Sequence, residues 1–427
     1  MKENRIHVSL FVVTTLLTIA VVGLLLNIIQ RKQEARDRFA HVVPIADLET
    51  DPEVWGHNFP DQYDGWKRTA EAYGATEFGG GAHRDKLALN PRLKELYAGY
   101  PFSLEYRERR GHARALEDVI GTKRMGDQKP GTCMSCKSSD NVRLWNEIGP
   151  EKFFLTPMRE LQHQVSHSVS CLNCHDPKTM DLRPANPAFL AAMKNRNIDL
   201  AKATRQEMRT YVCAQCHVEY YFETPDRPIL HFPWENGLRV EEMERHYDAI
   251  GFADWEHPVS GAKMIKAQHP DYELWSTGIH ARAGVACADC HMPFRRVGAQ
   301  KISDHWVRSP LVNIAHACQT CHRQSEEEMR ERVVTIQRRT RELMDRSEVA
   351  IIAATRAIAQ AKEAGAPESA LEEARALHRR AQFRWDFVSS ENSMGFHSPQ
   401  EAARLLGEAI DFARQAEITV LQARPGR

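Results

Sequence analysis

All 10 cysteines of this chain lie in five Cys-x-x-Cys stretches, and this arrangement limits the fold more than any other feature of the sequence. The pairs are Cys133/Cys136, Cys171/Cys174, Cys213/Cys216, Cys287/Cys290 and Cys318/Cys321. No thiol remains for a structural disulfide, so the segment from 131 to 322 must fold around whatever the pairs hold. In four of them a histidine follows the second cysteine at once: His175, His217, His291 and His322. The first, Gly131-Thr-Cys-Met-Ser-Cys-Lys137, ends in lysine.

A solitary Cys-x-x-Cys is most often half of a zinc site or a redox dithiol. Zinc consumes such pairs two at a time or with spaced histidines, which an odd count does not satisfy. Cys-x-x-Cys-His is instead the attachment pattern of c-type haem: two thiols add to the vinyl groups and the next imidazole binds iron. Five covalently bound haem c groups are expected, about one per 40 residues of this segment. A core built around so much cofactor has little room for long regular elements. Residues 111–323 should therefore be short helices and loops, with the motifs at helix starts or ends.

The flanks read differently. After Met1-Lys-Glu-Asn-Arg5 an uncharged apolar run extends from Val8 to Ile29, followed by Gln30-Arg31-Lys32. About 22 residues at 1.5 Å each cover the ~30 Å hydrocarbon layer. Residues 1–30 are thus expected to be a membrane anchor, favoured over a cleaved signal because no A-x-A-like site follows. Haem attachment of this type takes place outside the cytoplasmic membrane, which puts the body on the periplasmic or extracytoplasmic side. Residues 31–110 carry no cysteine and are rich in Pro, Trp, Tyr and Gly, as suits a segment that wraps the haem core.

Residues 324–427 shift to Glu, Arg, Ala and Leu. Met329, Val333, Ile336, Leu343, Val349, Ile352 and Ala359 recur at helical spacing and predict one long helix from Gln324 to about Ala364. Gly365-Ala-Pro367 ends it, and a second helix runs from Glu368 to about Phe387, with Leu371, Ala374, Leu377 and Phe383 on its apolar face. Ser398-Pro399-Gln400-Glu401 predicts an N-cap, proline at the first position and a capping glutamate, opening a last helix to about Ala423. The fold class is therefore mainly α: a multihaem cytochrome core with little β structure, followed by a long helical bundle that could serve as a homodimer interface. With 57 basic and 57 acidic side chains, nothing favours a nucleic-acid partner.

An iron with histidine on both faces can only pass electrons, whereas an open face can take a substrate. Four motifs bring their own histidine, and enough of the 20 histidines remain to cap all four. Lysine ligates only as the free amine, and stripping its proton at pH 7 costs about 4 to 5 kcal/mol. Lys137 is therefore not a neutral replacement for histidine.

With these motifs go Arg110-Gly111-His112, Cys216-His217-Val218-Glu219-Tyr220-Tyr221-Phe222, Phe232-Pro233-Trp234, Lys266-Ala267-Gln268-His269-Pro270 and Thr277-Gly278-Ile279-His280. Together they resemble the ammonia-forming cytochrome c nitrite reductases, pentahaem enzymes whose first haem motif ends in Lys. That resemblance implies an active site at the Lys137 haem with Arg124, Tyr220 and His269 around it. It implies one Ca2+ held by Glu219, Gln268 and the backbone carbonyls of Tyr220 and Lys266. It implies second ligands His112, His280, His305 and His397, opposite His217, His322, His175 and His291 respectively. The implied activity is six-electron reduction of nitrite to ammonium, with hydroxylamine, nitric oxide and sulfite as further substrates. The implied donor is a membrane quinol dehydrogenase, itself a multihaem cytochrome. Rival readings are an electron-transfer cytochrome with every iron six-coordinate, and a hydroxylamine-converting multihaem enzyme. Other histidines, such as His163, His167, His231, His246 and His316, are expected to be surface or structural, and His378, in a charged helix, to be solvated.

Overall fold

The computed structural model of the protein describes residues 2–37, 42–71, 73–108, 110–124, 126, 129–298 and 300–423. Its first element is a helix, Lys2–Asp37, in which the 29 residues Arg5–Gln33 have a mean hydropathy of 2.5 and no residue of the apolar window is buried. It is long and apolar enough to cross a membrane.

The cysteine-bearing segment is built from short pieces. Among the described residues its longest helices are the 10-residue Arg205–Ala214 and Val240–Ala249. Strand is confined to two-stranded antiparallel ladders, the longest pairing Phe294–Val297 with Gln300–Ser303. Each motif meets a helical turn. Gly131–Met134 and Cys171–Asn173 are 3-10 turns, Arg205–Ala214 runs into the third motif, Cys287–His291 is helical, and Ile314–Ala317 leads into the fifth. Two glycines allow the tight approaches. A Cβ at Gly131 would collide with the carbonyl oxygens of Phe153 and Thr156, and one at Gly278 with that of His397. Only glycine lets backbone come this close.

Three long helices follow: Glu326–Glu363, Glu368–Ser390 and Pro399–Gln422. The buried positions of the first include Met329, Val333, Gln337, Thr340, Met344, Ser347, Ile351, Ala354, Ile358 and Ala361. After Val333 and Gln337 they step by three and four, the seven-residue repeat of helices that coil about one another. This corrects the apolar face read from the sequence. Val349 is 49% exposed, because Gln337, Thr340 and Ser347 occupy the seam where only apolar residues were sought. Gln337 and Ser347 are paired there, to Ser393 O at 3.0 Å and Leu343 O at 2.8 Å.

The second helix carries a further correction. His378 is fully buried, not solvated, and Leu377 is only partly so. Thr355 Oγ1 at 3.1 Å and Ser260 Oγ at 3.0 Å occupy its two ring nitrogens, which makes burial of the neutral imidazole tolerable. From Ala381 to Val388 every residue of this helix is buried, since it lies between its bundle partners and the rest of the protein. Trp385 packs on Tyr97 with centroids 5.7 Å apart, and the Arg384 guanidinium bridges Glu244 at 3.2 Å and Glu408 at 2.7 Å. The third helix starts at Pro399 as expected, but the Ser398 side chain makes no capping bond, and Glu401 pairs with Arg404 instead. The capping box belongs to the first bundle helix, where Ser325 and Glu328 exchange hydrogen bonds.

Candidate active site

A continuous cavity of about 3230 Å³ runs through the core and touches all ten cysteines. None is in a disulfide. Neighbouring motifs meet inside it: the sulfurs of Cys136 and Cys216 lie close together, as do those of Cys213 and Cys287, and Cys290 is near Cys318. The first, third, fourth and fifth pairs thus form one connected series, with Cys174 of the second pair beside Cys216.

Histidines face each other across the cavity. The ring centroids of His175 and His305 are 6.2 Å apart, those of His280 and His322 6.3 Å, and those of His291 and His397 6.3 Å. His112 and His217 are close enough for each charge to affect the other. Two imidazoles bound to opposite sides of one metal, with bonds of about 2.0–2.1 Å and nitrogens about 1.1 Å from their ring centres, have centroids about 6.2–6.4 Å apart. The observed spacing therefore fits a shared iron, and the residues present fit haem c. Burial pushes His112, His291 and His305 down to about 4. They are neutral at physiological pH, the form that can ligate a metal.

Outer partners fix the rings. Nδ1 of His175, His291 and His305 contacts the backbone carbonyls of Met180, Arg308 and Ser303 at 2.9, 3.1 and 2.9 Å. His217 Nδ1 lies 3.1 Å from Asp271 Oδ2, and His397 Nδ1 3.0 Å from Glu391 Oε2. Sequence reasoning missed both carboxylates. Their only signal was position, two residues after His269 and six before His397.

Lys137 closes the first motif, its backbone N–H donating to Met134 O at 2.8 Å, and it lines the cavity near His112. No histidine belongs to this motif. Arg124, Tyr220 and His269 line the same cavity. Arg124 sits close enough to Cys133 and Tyr220 for its charge to bear on both. Its guanidinium carbon stacks 4.5 Å from the Phe102 ring centroid, and its buried Nη1 has no hydrogen-bond partner among the described residues. A buried N–H of fixed positive charge with nothing to donate to is a receptor for an anion. Burial raises the Tyr220 hydroxyl, so it stays protonated, and its ring lies 6.5 Å from that of His269.

On the far side of Tyr220, the Glu219 carboxyl is fully buried and accepts from the Gln268 N–H at 2.6 Å and the Tyr247 hydroxyl at 2.9 Å. The Gln268 side-chain amide lies 3.2 Å from the Lys266 carbonyl oxygen. The Lys266 ammonium turns away, to Asp386 at 3.0 Å and Ser390 at 2.7 Å. Burial pushes Glu219 well above the usual carboxylate range. Asp254, whose Oδ2 accepts from Lys266 N at 2.7 Å, is raised by burial to about 7. Asp254 is a second carboxyl that sequence reasoning did not single out. This set of carboxyl, amide and carbonyl oxygens, with both carboxyls raised by burial, fits a hard divalent ion such as Ca2+.

Residues 51–425 match the cytochrome c552 family. Cytochrome c-552 of Bacteroides fragilis is 42% identical over 409 residues, covering 94% of this chain and 83% of that protein. Cytochrome c-552 of Desulfotalea psychrophila is 37% identical over 423 residues, covering 95% and 82%. Among solved structures, cytochrome c nitrite reductase from Desulfovibrio desulfuricans, with two calcium sites in its catalytic subunit, superposes with a TM-score of 0.86 at 33% identity, covering 90% of this chain and 88% of that one. A mainly α fold, five cysteine pairs on one cavity and these likenesses lead to one assignment: the chain belongs to the cytochrome c552 family.

Proposed function

We propose that this protein reduces nitrite to ammonium, taking up six electrons and eight protons and releasing two water molecules, at a centre built on Lys137. The observation that carries the reading is that Lys137, Arg124, Tyr220 and His269 line one cavity, with the buried Arg124 Nη1 left without a partner among the described residues. The likeness to cytochrome c nitrite reductase of Desulfovibrio desulfuricans supports it.

The five cysteine pairs would each anchor one haem c; His175 with His305, His217 with His112, His291 with His397 and His322 with His280 would hold four of the irons, and Lys137 would hold that of the first motif. When bound, such groups would supply one-electron transfer and, at the Lys137 centre, Lewis-acid binding of a small substrate. The residues do the rest. Arg124, steered by the Phe102 face, draws the nitrite anion in and holds an oxygen by charge-assisted hydrogen bonds. His269 polarises that oxygen and delivers protons, as an imidazole can near neutral pH. Tyr220, kept protonated by burial, is a weaker second donor. Glu219, Gln268 and the carbonyls of Tyr220 and Lys266 would hold one Ca2+, which fixes the loops carrying Tyr220 and His269. The same pocket accommodates hydroxylamine, nitric oxide and sulfite.

Electrons would arrive through the connected series of motifs from a membrane quinol dehydrogenase, since a single apolar helix offers no obvious quinol site. That helix would tether the body to the extracytoplasmic face of the membrane. Val349 and Ile418, exposed on the first and third bundle helices, favour a homodimer through the bundle. Titration of the reduced protein with carbon monoxide tests the site: binding at one haem in five is expected. Binding at none would leave an electron-transfer cytochrome.

A further inference from the structure

The outer partners of the ligand histidines are of two kinds. His175, His291 and His305 present Nδ1 to neutral backbone carbonyls, whereas His217 and His397 present it to carboxylates. Asp271 belongs to both carboxylate cases. Its Oδ2 lies 3.1 Å from His217 Nδ1 and its Oδ1 4.0 Å from His397 Nδ1. Glu391 Oε2 lies 3.0 Å from that same His397 nitrogen, as a charge contact off the line of a well-formed hydrogen bond.

Both carboxylates are held in place. Asp271 accepts from the Asn392 backbone at 2.7 Å and its side chain at 3.0 Å, and Glu391 from Gly395 N at 2.7 Å and Ser393 Oγ at 2.8 Å. Asp271 is 7% and Glu391 4% exposed, so water screens neither strongly. The two residues stand on different elements, Asp271 on the helix Asp271–Ser276 and Glu391 just beyond Glu368–Ser390. The bundle thereby reaches into the haem core and brings a negative charge to it.

A carboxylate facing the Nδ1–H of a metal-bound imidazole makes the other nitrogen a stronger donor and favours the more oxidised metal. We infer that Asp271 and Glu391 are positioning residues that lower the reduction potentials of two adjacent haems, the one between His217 and His112 and the one between His397 and His291. The haem between His175 and His305, with neutral partners at both Nδ1 atoms, keeps a higher potential. This rests on the ligand assignment proposed above. Cys213 and Cys287 touch, so the two tuned centres are neighbours on the route between the fifth motif and the first. An electron then does not come to rest there.

The test is spectropotentiometry on the full-length, haem-loaded protein, with haems resolved by electron paramagnetic resonance. Asp271→Asn should move the midpoint of the His112/His217 haem upward, leave that of His175/His305 in place and keep all five haems, and Asp271→Glu should restore it. Glu391→Gln should raise the His291/His397 haem and serves as the second variant should Asp271→Asn fail to load. Unshifted midpoints in a loaded variant overturn the inference, as does a uniform shift of every haem. The ligand assignment fails separately: a low-spin bis-imidazole signal that persists unaltered in His217→Met would remove His217 from the iron, and with it the tuning.

Discussion

Tyr220 and His269 face one another across the cavity with ring centroids 6.5 Å apart and planes inclined by 38°. They come from segments separated by 49 residues, yet both stand beside Arg124 and Lys137 on one wall system. That places two proton donors beside one another, with a fixed cation close enough to act on Tyr220. His269→Ala should lower the rate of nitrite reduction by about 10²–10⁴, the usual contribution of a positioned acid, with the bis-histidine spectra unchanged. Turnover within a factor of two of the wild type would remove His269 from the chemistry.

Lys137 differs from the other four motif-ending residues in the proton it must lose to ligate. Lys137→His should preserve five covalent haems, since both thiols remain, but alter the spectrum of the first haem and lower turnover. Mass spectrometry checks the first expectation and steady-state kinetics the second. A variant with wild-type nitrite kinetics would show that the amine has no special role.

The Glu219 and Asp254 carboxyls both lie near Tyr247, and burial raises each above the usual carboxylate range. Gln268→Ala and Glu219→Gln should each reduce bound calcium, read by elemental analysis, and lower activity with it. Glu219→Gln should be the more damaging, because it removes charge as well as a ligand. Full calcium content in both variants would exclude these residues as ligands.

His378 gives the fold an acid-sensitive point away from the cavity. Burial, helped by neighbouring His257, holds its pKa down at about 3 from the ordinary 6.5. The unfolded chain takes up the proton first, so stability is complete above about pH 6.5 and falls as pH drops towards 3. Going from pH 7 to 5 removes about 2 kcal/mol through this one group. In denaturant titrations at the two pH values, the stability advantage of wild type over His378→Gln should shrink by about that amount. Parallel pH profiles would contradict it.

What the sequence revealed followed from strict covalent spacing. The motifs announce themselves because the second thiol sits three residues after the first and the imidazole directly after it, whatever surrounds them. The three bundle helices were legible to within a few residues, since their lengths and breaks are local properties. Their seams were not. Gln337, Ser347 and His378 are buried with partners from other elements, and an apolar pattern cannot register that. Asp271 and Glu391 escaped for the same reason: a carboxylate becomes part of a site only through the imidazole that the fold brings to it.

The account stands most directly on the fate of nitrite nitrogen. Purified protein, supplied with a reduced one-electron dye and nitrite, should form one ammonium for every six dye molecules oxidised, with no hydroxylamine or nitric oxide accumulating. Arg124→Ala should raise KM for nitrite far more than it lowers kcat. Dye oxidation without ammonium, or no oxidation by nitrite at all, would contradict the central claim and leave a protein that only carries electrons.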